Sequence, residues 1–284
     1  MTVKEIAELA GVSIGTVDRV LYKRGRVSEA TKARIEDIIE KYQFTPNPIA
    51  RRLKRNRSWQ FIALMPRRDQ DAGYWGQALA GIPVIFFDAD IPDAAPLCAI
   101  GQDSFRGGYL AGRLMHLFAG KIKAPVAVLD AHGEDYHIIR RRDGFLRYAG
   151  EYHIPTLVQE YSGYKGTEIS VREISLFLRK NPDLTGIFIT NCMAHRVAEA
   201  VRELKKPQNL LIIGYDLIPN NRILLQEGRI NAIISQRPED QGRDALLTMY
   251  RSIVLEQKIP ARVEIPLDIY FKENVPKDEV TLQF

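Results

Sequence analysis

The sequence predicts two parts of different fold class: a small all-α domain at the N-terminus and a larger α/β domain with parallel sheets behind it. Short apolar stripes of helical period fill the first 45 residues, and from Trp59 onward β-branched runs alternate with amphipathic helices. Positive charge is concentrated at the start of the chain. The predicted bounds are 1–46 for the first domain, 47–58 for a linker and 59–284 for the second domain.

The composition is that of a folded protein, with 45% hydrophobic and 26% charged residues, which excludes disordered and collagen-like classes. The first 60 residues contain 13 Lys and Arg against 7 Asp and Glu, whereas the whole chain of 284 residues has a net charge of only +5. Because the positive charge is packed into this short region, we expect the region to meet a polyanion, nucleic acid before membrane.

No apolar run approaches the roughly 20 residues that a bilayer span needs. The N-terminus, MTVKEIAELAG, starts an amphipathic helix rather than a signal peptide, so we expect a cytoplasmic protein with no membrane partner. Cys98 and Cys192 match no metal-binding spacing and are expected to be small buried residues without a disulfide. We expect neither a metal nor a cofactor.

Three short helices are predicted in the first domain. Thr2 and Glu5 form a capping box for a helix that runs to about Ala10, Gly11 supplies a turn, and Ser13 caps the second helix. The apolar face of the second helix consists of Val17, Val20 and Leu21. The residues that point away from the core, where a recognition helix would present them to a major groove, are Ile14, Gly15, Asp18 and Arg19. The third helix, capped by Ser28, is predicted to direct inward Ile35, Ile38, Ile39 and Tyr42.

A basic segment, TPNPIARRLKRNRS, follows these helices. Asn47 can cap and Pro48 can open a short helix that carries Ala50 and Leu53 on one side. The cations around this apolar pair are Arg51, Arg52, Lys54 and Arg55. An apolar wedge framed by cations suits the minor groove of DNA, and the alternative is a solvated basic linker.

The second domain contains seven runs that are predicted to be strands: FIALMP, IPVIFFD, PVAVLD, TLVQEY, GIFIT, NLLIIGYD and NAIISQ. Ligands of parallel α/β sheets gather at the carboxyl ends of the strands. The polar residues expected there are Asp88, Asp90, Gln102, Asp103, Asn191, Asp216 and Gln236, with Arg141 from a following helix. These groups, with Tyr74 and Trp75 available for stacking, fit a sugar site when taken together, although each residue taken singly is better explained as a strand-end cap or turn former.

Catalysis is not expected, because the sequence contains no phosphate loop, HExxH or GxSxG motif. The glycines of GGYLAG, residues 107–112, are predicted to form a tight helix start rather than a dinucleotide-binding turn. His132 and His137 flank a loop, where solvated or locally bonded histidines are expected rather than metal ligands.

The run VKEIAELAGVSIGTVDRVLYKRGRVSEATKARIEDIIEKYQFTPNPIARRL resembles the headpiece and hinge of the lactose/galactose-repressor (LacI-type) family over its whole length. The resemblance implies base-reading positions, phosphate contacts and a minor-groove hinge contact. The candidate DNA-binding residues are Ser13, Ile14, Gly15, Thr16, Arg19, Asn47, Ala50, Arg51 and Leu53. Where the family usually has Ser, this chain has Asp18, which would repel phosphate unless it accepts from a cytosine amino group or pairs with Arg19.

The rest of the chain is similar to the periplasmic-binding-protein-like (type I) domain of the same family, which implies two subdomains with a ligand between them. The candidate ligand-binding residues are Tyr74, Trp75, Asp88, Gln102, Arg141, Asn191, Asp216 and Gln236. Cys192 stands where the family often has Asp. The segment between FIALMPRRDQDAGYWGQ and IPVIFFDAD is shorter than in the family by roughly two βα units, which would leave the first subdomain truncated, with unpaired strand edges.

These observations predict a homodimeric, sequence-specific transcriptional regulator, a repressor, that binds a pseudo-palindromic operator in double-stranded DNA. Its small-molecule effector is expected to be a sugar or sugar derivative. One alternative is a regulator whose sensor no longer responds to ligand because of the shortened segment. A solute-binding protein and an enzyme are the two further alternatives.

Overall fold

A computed structural model of the chain describes residues 1–45, 82–88, 95–131, 135–161, 169–204 and 210–276. The chain divides into two compact units, Met1–Ile62 and Ala63–Phe284. The predicted linker, the strand FIALMP and the shortened segment lie outside the described ranges, so the predicted domain bounds stay predictions. The individual residues that also lie outside are Asn47, Ala50, Arg51, Leu53, Tyr74, Trp75, Asp90 and His132.

The first unit contains the three predicted helices, α1 (Val3–Leu9), α2 (Ile14–Leu21) and α3 (Glu29–Lys41). The capping box at α1 is complete, since the Thr2 amide donates to Glu5 Oε2 at 2.7 Å and the Glu5 amide donates to Thr2 Oγ1 at 3.2 Å. The side chains of Ser13 and Ser28 accept from the amides of Thr16 and Thr31, which confirms both predicted caps. Gly11 makes its turn with a positive φ of 61°.

A small apolar core holds the three helices together, and its fully buried members are Ile6, Ala7, Ala10, Val17 and Ile35. The prediction that Tyr42 points inward is wrong, because its side chain is 49% exposed. Helix α3 ends at Lys41, so Tyr42 is the C-cap, where the backbone already leaves the helix. Phe44, two residues later, packs against the core instead.

The larger sheet of the second unit has the strand order β4-β3-β5-β6-β7-β9, and all neighbours are parallel except β7 and β9. Its strands are β3 (Val126–Ala131), β4 (Thr156–Tyr161), β5 (Gly186–Ile189), β6 (Leu211–Tyr215), β7 (Ala232–Ser235) and β9 (Asp268–Tyr270). Five helices complete what we call the large lobe: α4 (Ser104–Ala119), α5 (Tyr136–Glu151), α6 (Val171–Lys180), α7 (Ala194–Arg202) and α8 (Pro219–Gln226).

The smaller sheet has the order β1-β2-β8 and is entirely parallel, with β1 (Ile85–Phe87), β2 (Cys98–Gly101) and β8 (Arg262–Glu264). Helix α9 (Pro238–Met249), continued by a π-helical turn over Tyr250–Val254, lies against β1 and β2 and completes the small lobe. Parallel sheets in two subdomains are therefore confirmed. The sequence did not predict β2, β8 and β9, which have only three or four residues each.

The chain passes between the two lobes three times within the described residues. The first crossover, 102–103, joins β2 to α4, the second, 236–237, joins β7 to α9, and the third, 265–267, joins β8 to β9. Strands β3 and β5 are neighbours although β4 lies between them in sequence. The winding of the sheet therefore reverses at β3, and a crevice opens at the carboxyl ends of these strands.

Helices α4 and α5 cross at glycines. A Cβ added at Gly108 would lie 1.8 Å from the carbonyl oxygen of Arg141, and one added at Gly144 would lie 2.0 Å from the carbonyl oxygen of Phe105. GGYLAG is therefore not the helix start that the sequence predicts but the interior of α4, where missing side chains let two backbones touch. This contact fixes the position of Arg141 on α5.

No helix in the described ranges is long and apolar enough to cross a membrane. Within the same ranges, no group of three or more His, Cys, Asp or Glu residues is placed to hold a metal ion. Cys98 is buried and Cys192 is partly buried, and neither forms a disulfide within the described part of the chain.

Replacing Gly108 with Ala is expected to lower the free energy of unfolding by at least about 1–3 kcal/mol, because the added methyl group meets backbone that cannot move aside alone. Gly150→Ala is the matched control: this glycine lies in α5 with nothing within 4 Å of an added Cβ, so its helix should gain up to about 1 kcal/mol. Urea unfolding of both variants measures the difference. Equal stability of the two would contradict the close helix crossing.

Candidate functional site

The exposed face of α2 is the first candidate site. Val17 is fully buried, and this anchors the helix so that the opposite face, which carries Ile14, Gly15 and Arg19, is exposed. At the helix start, the Ser13 and Thr16 hydroxyl groups lie 3.0 Å apart, next to the free amides of the first turn. Backbone amides and hydroxyl groups at a helix N-terminus are donors that suit phosphate.

Charge around α2 is positive. The exposed cations that follow the helix within the next seven residues are Lys23, Arg24 and Arg26. Asp18 is half-buried, and no ion pair joins it to Arg19 in the described part of the chain. Of its two expected roles, pairing with Arg19 is therefore not seen, and accepting a hydrogen bond from a cytosine amino group remains a prediction.

The second candidate site is the cleft at the carboxyl ends of the strands in the second unit. The structure brings together there all six described candidates for ligand binding: Asp88, Gln102, Arg141, Asn191, Asp216 and Gln236. They follow strands of both lobes, or lie on α5 facing the strand ends. Four of them are connected by direct hydrogen bonds or by electrostatic interaction.

The guanidinium of Arg141 is at the centre of this cleft. The residue is 2% exposed, its Nη1 donates to the carbonyl of Thr190 at 2.9 Å, and its Nη2 donates to Gln236 Oε1 at 2.5 Å. The guanidinium carbon lies 3.8 Å from the ring centroid of Tyr215, so the cation rests on an aromatic face. Its Nε is buried and has no hydrogen-bond partner in the structure.

Gln236 bridges this guanidinium to a carboxylate through two hydrogen bonds. Its Oε1 accepts from Arg141, and its Nε2 donates to Asp216 Oδ1 at 2.8 Å. Because the acceptor faces a cation and the donor faces an anion, only one orientation of the amide satisfies both neighbours. The arrangement holds the Asp216 carboxylate in place without neutralising it directly.

Burial dominates the protonation behaviour of the cleft. Desolvation raises the pKa of Asp216, and the opposing effects of the Gln236 hydrogen bond and the Arg141 charge are smaller. Although solvent reaches Asp88, its carboxylate is desolvated by the surrounding protein, which raises its pKa, while Arg141 lowers it and Asp216 raises it further. Burial likewise raises the pKa of Tyr215 to about 12. These shared effects place Asp88, Asp216 and Arg141 within electrostatic reach of one another.

Strained backbone marks the same cleft. Asp88, Asp216 and Arg237 have positive φ angles of 71°, 64° and 51°, and each comes directly or almost directly after a strand. Positive φ is unfavourable for residues with a side chain, and such strain concentrates at functional sites. The Asp88 amide is held by Gln241 Oε1 at 2.7 Å, and Arg237 is held by an ion pair to Asp268 at 2.6 Å.

Buried polar atoms without partners also lie on cleft residues. Asn191 accepts from the Met193 amide through Oδ1, but its Nδ2 is buried and unbonded. Gln102 has its Nε2 bonded and its Oε1 buried without a partner. Together with Arg141 Nε and the Tyr215 hydroxyl group, four buried polar atoms of the cleft residues have no hydrogen-bond partner among the residues that the structure describes. A buried polar group of this kind costs about 1–3 kcal/mol until something bonds to it.

Asn221 joins two of the loops that line the cleft. It is fully buried, and its Nδ2 lies 2.9 Å from the carbonyl of Cys192 and 2.8 Å from that of Asp216. Its Oδ1 accepts from the amide of His195 at 2.8 Å. This residue therefore fixes the spacing between the loop that carries Asn191 and the one that carries Asp216.

Sequence reasoning missed Asn221, Tyr215, Gln241 and Arg237. Tyr215 comes directly before Asp216, but a residue at the end of a buried strand reads as core. Asn221 and Gln241 lie on helices among ordinary polar residues, and their partners are up to 153 positions away in sequence. Only the packed structure identifies them, since no local pattern marks their roles.

Comparison with known families gives two matches. Residues 2–47 match the family described as "Bacterial regulatory proteins, lacI family", and residues 78–257 match the "Periplasmic binding protein domain" family. Among curated relatives, the HTH-type transcriptional repressor PurR of Yersinia pestis bv. Antiqua (strain Antiqua) is 24% identical, over 93% of this chain and 94% of the relative. That alignment extends over 332 positions, more than the 284 residues of this chain, so part of the relative has no counterpart here.

The solved structures that resemble this one include the following two. GanP, a glucose-galactose binding protein from Geobacillus stearothermophilus, superposes with a TM-score of 0.64 and 25% identity over 72% of this chain and 74% of that chain. A putative LacI transcriptional regulator from Bacteroides fragilis gives a TM-score of 0.63 and 28% identity over 71% of each chain. The architecture is thus shared by a glucose-galactose binding protein and a putative regulator.

Replacing Asp216 with Asn should change the pH dependence of stability in a defined direction. The pKa of Asp216 is raised in the folded state, so its charge destabilises the fold at neutral pH, and this cost disappears as the pH falls through the folded pKa. The gain in unfolding free energy of Asp216→Asn over the wild type should therefore shrink between pH 7 and about pH 4.

Asp183→Asn, at an exposed turn before β5, is the matched control for the loss of one carboxylate charge. Chemical unfolding of the three proteins across this pH range is the measurement. A gain that stays constant over the whole range would contradict the buried, charged state of Asp216.

Proposed function

Since the chain is a LacI-type regulatory protein, a ligand-responsive transcriptional repressor with a periplasmic-binding-protein domain behind its helix-turn-helix, we propose that it binds a pseudo-palindromic operator as a homodimer. The effector that changes its affinity for the operator is an uncharged, polyhydroxylated molecule. The headpiece supplies operator binding. The cleft between the small and large lobes supplies effector binding. The proposed role requires no catalytic group.

The exposed face of α2 supports the DNA part of this proposal. With Val17 buried, Ile14, Gly15 and Arg19 are free to enter a major groove, while Ser13 and Thr16 lie at the helix start, where phosphate is favoured. Because one headpiece makes few contacts, two are needed, and a twofold dimer places them in successive grooves. The hinge residues Asn47, Ala50, Arg51 and Leu53 are proposed from the sequence to contact the minor groove between them.

The chemistry of the cleft supports an effector with many hydroxyl groups. A hydroxyl group both donates and accepts, so it can satisfy the unbonded Arg141 Nε and Asn191 Nδ2 as well as the carboxylates of Asp88 and Asp216. Two carboxylates face one guanidinium, so the cleft would repel a phosphate or sugar acid. The sugar-binding name of GanP is in keeping with this assignment. Tyr74 and Trp75 are proposed from the sequence as stacking residues.

The experiment that tests the function is selection of random duplex DNA on the purified chain, repeated with a panel of neutral sugars, sugar acids and sugar phosphates. We expect a pseudo-palindrome whose binding changes with a neutral sugar. A response only to anionic compounds would overturn the proposed effector class. Selection of no sequence at all would overturn the operator-binding role, and a palindrome indifferent to the whole panel would favour the ligand-unresponsive alternative.

Arg19→Ala should weaken binding to the selected operator by about 1–3 kcal/mol and relax base preference at one position of each half-site. Arg19→Lys is the informative companion, because it keeps the charge but loses the bidentate geometry that distinguishes guanine. Titration of both variants against the operator and single-base variants of it measures the effect. If Lys restored full discrimination, or if Ala weakened all sequences equally, Arg19 would be a phosphate contact instead.

Arg141→Lys should raise the concentration of effector that gives half the maximal response by at least about tenfold, since a lost charged hydrogen bond costs roughly 1.5–3 kcal/mol. Operator affinity without effector should stay within about twofold, because the headpiece is untouched. Arg147→Ala, on the exposed side of the same helix and paired only with Glu151, is the matched control. A normal effector response in Arg141→Lys would move the ligand site elsewhere.

A further inference from the structure

The three crossovers between the lobes meet at one side chain. Gln102 belongs to the first crossover. Its Nε2 donates to the carbonyl of Ser235, the last residue of β7 directly before the second crossover, and to the carbonyl of Pro266, in the third, both at 2.7 Å. The residue is only 8% exposed. One carboxamide of the first crossover is therefore bonded to the backbone where the second begins and within the third.

The orientation of this amide follows from its neighbours. Two carbonyl oxygens face the same end of the side chain, so that end must be the donating NH2 group, which has two hydrogens to give. The opposite atom, Oε1, is buried and without a partner in the structure. Gln102 is thus half-satisfied: its donors are used by the crossovers, and its acceptor is free.

Other contacts near the crossovers join fewer segments. Arg237 binds Asp268 and so links the second crossover to β9, and Gln241 Nε2 donates to the carbonyl of Gln236 at 2.7 Å while its Oε1 holds the Asp88 amide. Each of these contacts leaves the first crossover unattached. Only Gln102 holds all three together among the described residues.

We propose that Gln102 is the positioning residue that transmits occupancy of the cleft to the relative setting of the two lobes. A hydrogen-bond donor of the effector that reaches Oε1 polarises the amide and strengthens both of its bonds to the crossovers, because linked hydrogen bonds reinforce one another. The part of this inference that concerns the effector rests on the proposed function. The structural part, that Gln102 ties the crossovers, does not.

Hydrogen exchange on the ligand-free full chain tests the structural part. Gln102→Leu should speed amide exchange by about tenfold in peptides that cover 99–103, 233–238 and 263–268, since two hydrogen bonds to buried carbonyls are lost. Strands β3 and β5 should keep their protection. The matched control is Gln159→Leu, which removes a carboxamide on β4 whose Nε2 bonds locally to the carbonyl of Glu160.

Gln102→Asn guards this test against misfolding. It keeps the amide but shortens the side chain by one methylene, so it cannot reach both carbonyls, and it should reproduce the faster exchange. If β3 and β5 also lose protection in Gln102→Leu, that variant is destabilised as a whole, and the exchange measured in Gln102→Asn decides the test. Exchange in the three peptides that matches the Gln159→Leu control in both variants would overturn the proposal.

Coupling is then measured with Gln102→Glu and the effector selected by the sugar panel. A carboxylate keeps an acceptor for the ligand but cannot donate to Ser235 and Pro266. The ratio of operator affinities with and without saturating effector should therefore fall by about tenfold. A purely structural role would lower stability and leave this ratio of operator affinities unchanged. An unchanged ratio would overturn the coupling role. If the wild type responds to no compound, the proposed effector class is wrong, whereas the hydrogen-exchange test of the structural part is unaffected.

Discussion

The contact between the backbones of α4 and α5 at Gly108 and Gly144 is the constraint on which the cleft depends. With these glycines the carbonyl of Arg141 rests directly against α4, and the guanidinium reaches the carbonyl of Thr190 and the ring of Tyr215. Any side chain at the crossing would push α5 outward. A bond of 2.9 Å tolerates little such displacement, so the packing of two helices sets the geometry of the binding cation.

The cleft concentrates several unfavourable features in a small space. It contains a buried guanidinium that forms no ion pair within the described residues, two desolvated carboxylates, and three side-chain-bearing residues with positive φ. Each feature is tolerated because the surrounding sheet and helices are well packed, with fully buried apolar residues on both faces. Strain and unsatisfied polar atoms in a rigid frame are what a preorganised ligand site requires.

Local patterns were enough to predict much of this molecule. The caps at Ser13 and Ser28, the buried Val17, and strands β3 to β7 all follow from signals within a few residues. The convergence of four ligand candidates could be predicted because the carboxyl end of a parallel strand is a fixed place in the fold: Asp88, Asn191, Asp216 and Gln236. The glycine crossing, the role of Gln241 and the inter-lobe bonds of Gln102 could not, since their partners are far away in sequence. The prediction that Tyr42 points inward failed for a smaller reason, because α3 ends one residue before it.

The pairing of β2 with β8 has a consequence for how the protein folds during its synthesis. Ala99 lies opposite Arg262, so a ribosome must add more than 160 residues after β2 before its second neighbour exists. The headpiece and the parallel core of the large lobe are made from nearly continuous stretches and can form earlier, since domains fold largely in the order of synthesis. The small lobe therefore assembles after the headpiece and the parallel core of the large lobe, and during translation β2 presents an unpaired edge that invites aggregation or chaperone binding.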